Sequence, residues 1–202
     1  TGALLQVADF TWSFDGENRA SLAISNNGRY LAFIANGDAY RYDAQTGNTA
    51  LVSVDLGVAG SSGEAIRLAM DGSGNRIAFD SNEADLVAGD TNGVSDIFVR
   101  DLQAGTNILV SVAGDGSWGN GASTDPVMTS DGRFVAFISA ARNLVPNDTN
   151  GISDIFVRDL LNGTTTLVSV GATGTATTMI SPPVITPDGR YIVFSSSALG
   201  LA

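Results

Sequence analysis

The chain has 202 residues, of which 44% are hydrophobic and 24 are glycine, and its formal net charge is −11. It contains no cysteine and no histidine, which excludes disulfides, thiolate chemistry, histidine acid–base relays and zinc sites of the usual nitrogen or sulfur type. All 10 basic residues are arginine, so Schiff-base lysine chemistry is excluded, and the negative charge makes nucleic acid a poor partner. No apolar run approaches the ~20 residues of a membrane helix, and we expect no membrane insertion.

A turn followed by a short apolar strand recurs along the chain. It occupies residues 27–33, 73–79, 131–137 and 188–194, and its glycines are 46, 58 and 57 residues apart. The Asn-Gly and Asp-Gly pairs in these units favour a two-residue type I′ turn. Each unit therefore predicts a β-hairpin whose second strand begins just after the glycine.

A second hairpin follows in the first three repeats. The heptapeptide at 96–102 returns unchanged at 154–160, and a weaker copy lies at 38–43. Each copy is followed by a glycine and then by a β-rich run such as 166–170. Gly163 is placed for the left-handed residue of a bulged turn. One repeat therefore holds four strands.

Four strands in a period of roughly 50 residues predict a β-propeller. The predicted fold class is all-β, with four-stranded antiparallel blades, about three of them complete and partial blades at both ends. A β-solenoid would have shorter periods, and a β-sandwich would not repeat its own sequence. We treat 1–202 as a single propeller segment, and we expect further blades in a longer parent protein or a ring closed by association of copies. The predicted repeats are 1–9 (an outer strand of a partial blade), 20–54, 65–112, 123–170 and 181–202 (a half blade).

The third repeat has the most recognisable motifs. They are Ser-Asp-Gly-Arg-Phe-Val-Ala-Phe at 130–137, Asn-Leu-Val-Pro at 143–146, Asp-Thr-Asn-Gly at 148–151 and Asp-Ile-Phe-Val-Arg-Asp at 154–159. This pattern resembles the TolB-like propeller repeat of periplasmic and secreted bacterial proteins. The resemblance implies an extracellular, cell-surface or periplasmic location and a role in binding partner proteins. The first repeat passes from Phe33 to Asp38 almost directly and lacks the Asp-Thr-Asn-Gly loop.

The loop that joins the two hairpins carries oxygen donors at its first, third, fifth and seventh positions. Carboxylate, amide and backbone carbonyl oxygens at this spacing are ligands that Ca²⁺ prefers. The alternative is an ordinary turn, in which Asp and Asn side chains bond to their own backbone. The candidate calcium ligands are Asp90, Asn92, Val94 (by its carbonyl) and Asp96 in one loop, and Asp148, Asn150, Ile152 (by its carbonyl) and Asp154 in the other.

Two tryptophans lie in the polar connections between repeats. Trp12 and Trp118 are candidate binding residues, since an exposed indole can stack on a sugar or anchor a protein partner. The alternative is that each ring is tucked in to hold its own loop.

These observations predict a non-catalytic binding or scaffold propeller of an exported bacterial protein, with calcium as a stabilising ion. The predicted partners are another protein or a second copy of the chain, with carbohydrate as a further candidate ligand. One alternative is a structural subunit whose blades self-associate into a larger assembly or filament. Another is a glycoside hydrolase that uses paired carboxylates.

Overall fold

The structure, a computed structural model, describes residues 21–57, 64–146, 148–174 and 180–201. All regular secondary structure in these ranges is β-strand. The predicted outer strand at 1–9 lies outside the described residues. The strands are β1 Leu22–Ile24, β2 Tyr30–Ala35, β3 Asp38–Asp43, β4 Thr49–Leu51, β5 Ala65–Met70, β6 Arg76–Ser81, β7 Asp96–Asp101, β8 Thr106–Leu109, β9 Ser123–Met128, β10 Phe134–Ser139, β11 Asp154–Asp159, β12 Thr164–Leu167, β13 Val184–Ile185 and β14 Ile192–Val193.

The strands form three four-stranded antiparallel sheets and one two-stranded hairpin. Each sheet keeps chain order, so β1–β4 are blade 1, β5–β8 are blade 2 and β9–β12 are blade 3. The pair β13–β14 is the half blade. These sheets confirm the predicted fold class of an all-β protein built from four-stranded antiparallel blades.

The core lies between blades, because the middle strands of a blade are buried on both faces. In β6, Ile77 and Phe79 pack towards blade 1, in a cluster that also holds Ala32 and Val52. The alternate residue Ala78 packs the other way, in a cluster shared with blade 3. A strand sandwiched in this way has no polar face, which explains why the middle strands are apolar without strict alternation.

The first-hairpin turns of successive blades join in a chain of backbone hydrogen bonds. Asn26 N donates to Gly72 O (2.9 Å), Gly72 N to Ser130 O (2.8 Å) and Ser130 N to Pro187 O (3.1 Å). These four residues each precede the repeated turn glycine by two positions. The side chain of Asn26 also reaches that of Ser130, two blades away, with Nδ2 donating to Oγ at 2.7 Å. The blades are therefore arranged around a common axis, with these turns innermost.

The repeated turn glycine is required for two reasons. Gly74 has a φ of +78°, and a Cβ built there would lie 2.5 Å from the ring of Tyr30 in the preceding blade. Gly132 and Gly189 make the same close approach to blades 2 and 3, at 3.0 and 2.9 Å. The glycine therefore sets the turn and also lets adjacent blades approach each other.

The prediction that these turns are of type I′ is wrong. Gly132 has positive φ but Asp131 does not, whereas a type I′ turn needs both. Thr129 N donates to Phe134 O (3.0 Å), so the loop is longer than two residues and needs only one left-handed position. Asn36 and Gly37, with φ of +54° and +85°, form the two-residue turn between β2 and β3.

The two ends of the blades differ. Because neighbouring strands are antiparallel, both hairpin turns of a blade lie at one end, the turn end. The connections β2–β3, β6–β7 and β10–β11 lie at the opposite end, the loop end. Within the described ranges no helix is long and apolar enough to span a membrane.

Candidate functional site

At the turn end, each complete blade holds an arginine–aspartate pair. The arginine follows the first turn, and the aspartate ends the third strand. In blade 3, Arg133 donates from Nε and Nη2 to the two oxygens of Asp159, at 3.0 and 2.7 Å. The hydrogen bond from Arg133 holds the pKa of Asp159 well below its usual range. The equivalent pairs are Arg29–Asp43 and Arg76–Asp101. These charges hold the two hairpins of each blade together.

At the loop end, each complete blade holds an aspartate–serine pair, which is buried in blades 2 and 3, whereas the aspartate of blade 1, Asp38, is half-buried. Ser111 Oγ donates to Asp96 Oδ1 (2.5 Å) and accepts from Ile97 N (3.0 Å). Ser169 makes the same two bonds in blade 3, and Ser53 makes them in blade 1. We call these pairs the Asp–Ser locks. They fasten the start of the third strand to the residues after the fourth, and so explain why both residue types repeat.

The predicted calcium loops are crossed by side-chain hydrogen bonds. Asn92 Nδ2 donates to Asp96 Oδ2 (2.6 Å) and to Gly119 O (3.2 Å), while Asn92 Oδ1 accepts from Val94 N (3.1 Å). In the other loop Asn150 repeats all three bonds. Each loop thus brings its asparagine and last aspartate together, and the asparagine forms the turn that the alternative interpretation predicts.

The first aspartates of these loops are differently placed. Asp148 is 6% exposed, and neither of its carboxylate oxygens has a hydrogen-bond partner among the described residues. Burial, and then the charge of Asp154, raise the pKa of Asp148. Burial also raises the pKa of Asp90, which is half-buried. Asp148 is therefore a carboxylate suited to a cation, and calcium at these loops stays a prediction.

The structure describes only one of the two tryptophans that were predicted to bind a ligand. Trp12 lies outside the described residues. Trp118 is half-buried and forms an isolated β-bridge with Val112. Its carbonyl oxygen accepts from Asn143 Nδ2 at 2.8 Å. The backbone of Trp118 therefore anchors its loop to the blade, and its role in binding a ligand stays a prediction.

Sequence reasoning missed Asp80, a fully buried carboxylate near the end of β6. Its Oδ1 accepts from Ile66 N (3.2 Å) and Arg67 N (2.6 Å), where the register of β5 shifts, and its Oδ2 accepts from Asp125 N (3.2 Å) in blade 3. Burial raises the pKa of Asp80. A comparison of the repeats could have identified Asp80 as unusual, because blade 3 has the apolar Ile138 at the equivalent position.

Asp80 and Asp96, the most deeply buried acids with a raised pKa, have structural roles. Burial raises the pKa of Asp96 to about 6, against the hydrogen bonds from Ser111 and Asn92. Asp80 and Asp96 have no solvent-exposed surface. A general acid of a glycoside hydrolase must contact the glycosidic oxygen. Neither carboxyl group is accessible to a sugar in this structure.

The fold is shared with proteins of known structure, although no protein-family model and no curated protein matches the chain. TolB from Acinetobacter baumannii matches with 20% identity and a TM-score of 0.50, over 93% of this chain and 45% of that one. The propeller domain of Cps50 (Swd1) from Myceliophteria thermophila has 14% identity and a TM-score of 0.53, over 87% and 48%. Oligogalacturonate lyase from Vibrio parahaemolyticus has 12% identity and a TM-score of 0.55, over 87% and 46%.

These matches and the chain of hydrogen-bonded turns define a β-propeller scaffold. A TolB structure is among the matched propellers, in agreement with the resemblance found in the sequence. The chain spans less than half the length of each of these three proteins.

Proposed function

We propose that the chain is part of a non-catalytic binding or scaffold propeller of an exported bacterial protein, and that apolar faces on blade 1 and on the half blade each pack against another protein surface. One observation carries this proposal. Large apolar side chains are exposed on both faces. In contrast, the repeated Arg–Asp pairs and Asp–Ser locks of the complete blades bond within the fold.

The first face lies on β1 of blade 1. Leu22 and Ile24 are 73% and 63% exposed, while Ala23 between them packs into the core shared with blade 2. The second face lies on the half blade, where the cross-strand partners Val184 and Val193 are 66% and 65% exposed. Exposed apolar groups of this kind mark protein interaction sites. Between blades 1 and 2, and between blades 2 and 3, apolar faces of this kind pack against the neighbouring β-sheet.

Self-association into a larger assembly is the second candidate, because the two faces lie at opposite ends of the row of blades. A blade face of one copy has the shape that packs against a blade face of another. Contacts between two different faces generate rings or open filaments. The same surfaces therefore support both functions. A measurement of molecular mass in solution distinguishes binding of another protein from self-association.

Light scattering on the full chain, with an apolar dye as a second readout, tests the proposal. Ile24→Asp should reduce dye binding because it places a charge on the blade 1 face. Leu161→Asp is the control, since Leu161, in an outer turn, is at least as exposed as Ile24. A monomer that binds dye through the face supports binding of another protein, and a larger species dispersed by Ile24→Asp supports self-association. Dye binding unchanged by Ile24→Asp, in a monomer, would contradict both.

We further propose that loops 90–96 and 148–154 bind calcium, with Asp148 as the strongest support. Calcium should then raise the melting temperature by mass action on the folded state. Asp148→Asn should reduce that rise, and Asp115→Asn, in an exposed loop, should not. Asp96→Ala and Asp154→Ala should reduce it as well, but they also break the Asp–Ser locks. A rise unaffected by Asp148→Asn and Asp90→Asn would refute calcium at these loops.

A further inference from the structure

Three acidic side chains meet at the loop end, where blade 1 adjoins blade 2. Asp55 follows the last strand of blade 1, and Glu83 and Asp85 follow β6 of blade 2. One carboxylate oxygen from each lies within 4.8 Å of the other two. Asp55 is exposed, whereas Glu83 and Asp85 are 9% and 7% exposed. Carboxylates that converge at a largely buried position repel one another, which favours a cation beside them.

The surroundings of Asp85 are a second, independent indication that a ligand binds here. Both of its carboxylate oxygens are buried, and neither has a hydrogen-bond partner among the described residues. Buried carboxylates are normally paired, hydrogen-bonded or bound to a metal. Asp55 and Asp85 also take part in no salt bridge within the described ranges. A cation at this position would satisfy the side chain of Asp85.

The backbone around the acids is already held in place. Leu56 N donates to Asp85 O at 2.9 Å, which joins the exit of blade 1 to the loop of blade 2. Asn107 Nδ2 donates to both Val54 O (2.7 Å) and Leu86 O (2.8 Å), across the same junction. The three carboxylates therefore sit on a preorganised frame, which lowers the entropy lost when a ligand binds.

The next blade junction provides an internal comparison. The repeat places Ala113, Ala141 and Asn143 at the positions of Asp55, Glu83 and Asp85. Asn143 is fully engaged there, with Oδ1 accepting from Asn120 N (2.9 Å) and Nδ2 donating to Trp118 O (2.8 Å). The blade 3 residues thus need no cation. All three positions are acidic only at the first junction, so the fold itself does not require the charges.

We propose that Asp55, Glu83 and Asp85 bind one calcium-class divalent cation that ties the last strand of blade 1 to blade 2. Calcium takes oxygens at about 2.3–2.6 Å, so ligands on opposite sides of the ion lie up to about 5 Å apart. The three carboxylate oxygens all lie within 4.8 Å of one another, which fits that range. The remaining ligands are water.

Calorimetric titration of CaCl₂ into the chelator-treated full chain tests this site. Each acid is replaced by its counterpart at the next blade junction, in the variants Asp85→Asn, Glu83→Ala and Asp55→Ala. We expect saturable calcium binding that Asp85→Asn weakens by at least about tenfold, since a buried charged ligand becomes neutral. Asp55→Ala should also weaken binding, and because Asp55 is exposed this variant keeps the test independent of folding. In chelator, Asp85→Asn should melt no lower than the parent chain.

The controls separate this site from the loops at 90–96 and 148–154. Asp148→Asn should leave the junction site intact, so a binding event that survives Asp148→Asn and is lost in Asp85→Asn supports the proposal. Calcium binding that Asp85→Asn and Asp55→Ala leave unchanged overturns it, and so does the absence of any calcium binding by the parent chain. If all binding is lost in Asp148→Asn but kept in Asp85→Asn, the loops bind calcium and the junction does not.

Discussion

Removing the hydroxyl of Ser111 should show how much one Asp–Ser lock contributes to stability. Ser111→Ala leaves two groups without partners, the N–H of Ile97 and the Oδ1 of Asp96, and both residues are fully buried. Leaving a buried polar group unpaired costs about 1–3 kcal/mol. We therefore expect the free energy of unfolding to fall by about 3 kcal/mol. For a chain of this size that corresponds to a melting temperature lower by roughly 6–12 °C.

Urea unfolding at pH 7 in the presence of a chelator measures this loss without any contribution from calcium. Ser117→Ala is the matched control, because its hydroxyl donates to Asp115 Oδ1 (2.7 Å) at an exposed position. We expect it to change stability by less than about 0.5 kcal/mol. Ser169→Ala, which breaks the equivalent lock of blade 3, should match Ser111→Ala. A loss in Ser111→Ala no larger than in Ser117→Ala would refute a stabilising role for the locks.

Three further predictions concern the turns and the pH dependence. Gly74→Ala should destabilise the chain more than Gly28→Ala, since both have positive φ but only Gly74 adjoins an aromatic ring of the preceding blade; equal melting temperatures would contradict blade stacking here. The folded-state pKa of Asp96 is about 6 against an ordinary 3.8, so the folded chain holds this proton more tightly than the unfolded chain. Stability should then fall as pH rises from about 4 to 6, by up to about 3 kcal/mol, and Asp96→Asn should flatten this part of the urea-unfolding profile. Arg133 lowers the pKa of Asp159, so their pair stabilises the fold above the ordinary pKa of 3.8 and is lost on acidification. Arg133→Gln should therefore lower the unfolding midpoint at pH 6 but much less near pH 2, and an equal loss at both would show that the pair is not responsible.

The strands could be predicted because the same strand-forming sequences recur in several repeats. The unchanged heptapeptide at 96–102 and 154–160 becomes the third strand of blades 2 and 3. The glycine spacing located the first-hairpin turns, and Gly163 has the predicted positive φ. The type of turn could not be predicted from the repeat. One left-handed residue in a longer loop and two in a tight loop both favour Asn-Gly or Asp-Gly, and the choice depends on the hydrogen bonds that close the hairpin.

The polar contacts were harder to predict because they depend on strand register. Asp101 follows Arg100 in the chain, yet its ion-pair partner is Arg76, on the adjacent strand. The oxygen-bearing positions of the predicted calcium loops were visible in the sequence. Which atom of Asn92 faces Asp96 was not, because an amide both donates and accepts hydrogen bonds. The acids at the first blade junction could have been found by comparing repeats, since they replace Ala and Asn at matched positions.

The most direct test of the central claim, that successive blades surround one axis, is a distance comparison between inner and outer turns. The chain has no cysteine, so pairs can be introduced without background. Asn26 and Ser130 lie in the innermost turns of blades 1 and 3, with side-chain atoms 2.7 Å apart. Gln45 and Asn162 lie in the outer turns of the same blades. A short bismaleimide should cross-link the folded Asn26→Cys/Ser130→Cys chain within one molecule and leave Gln45→Cys/Asn162→Cys unlinked. Equal cross-linking of both pairs, or of the outer pair alone, would contradict the radial arrangement.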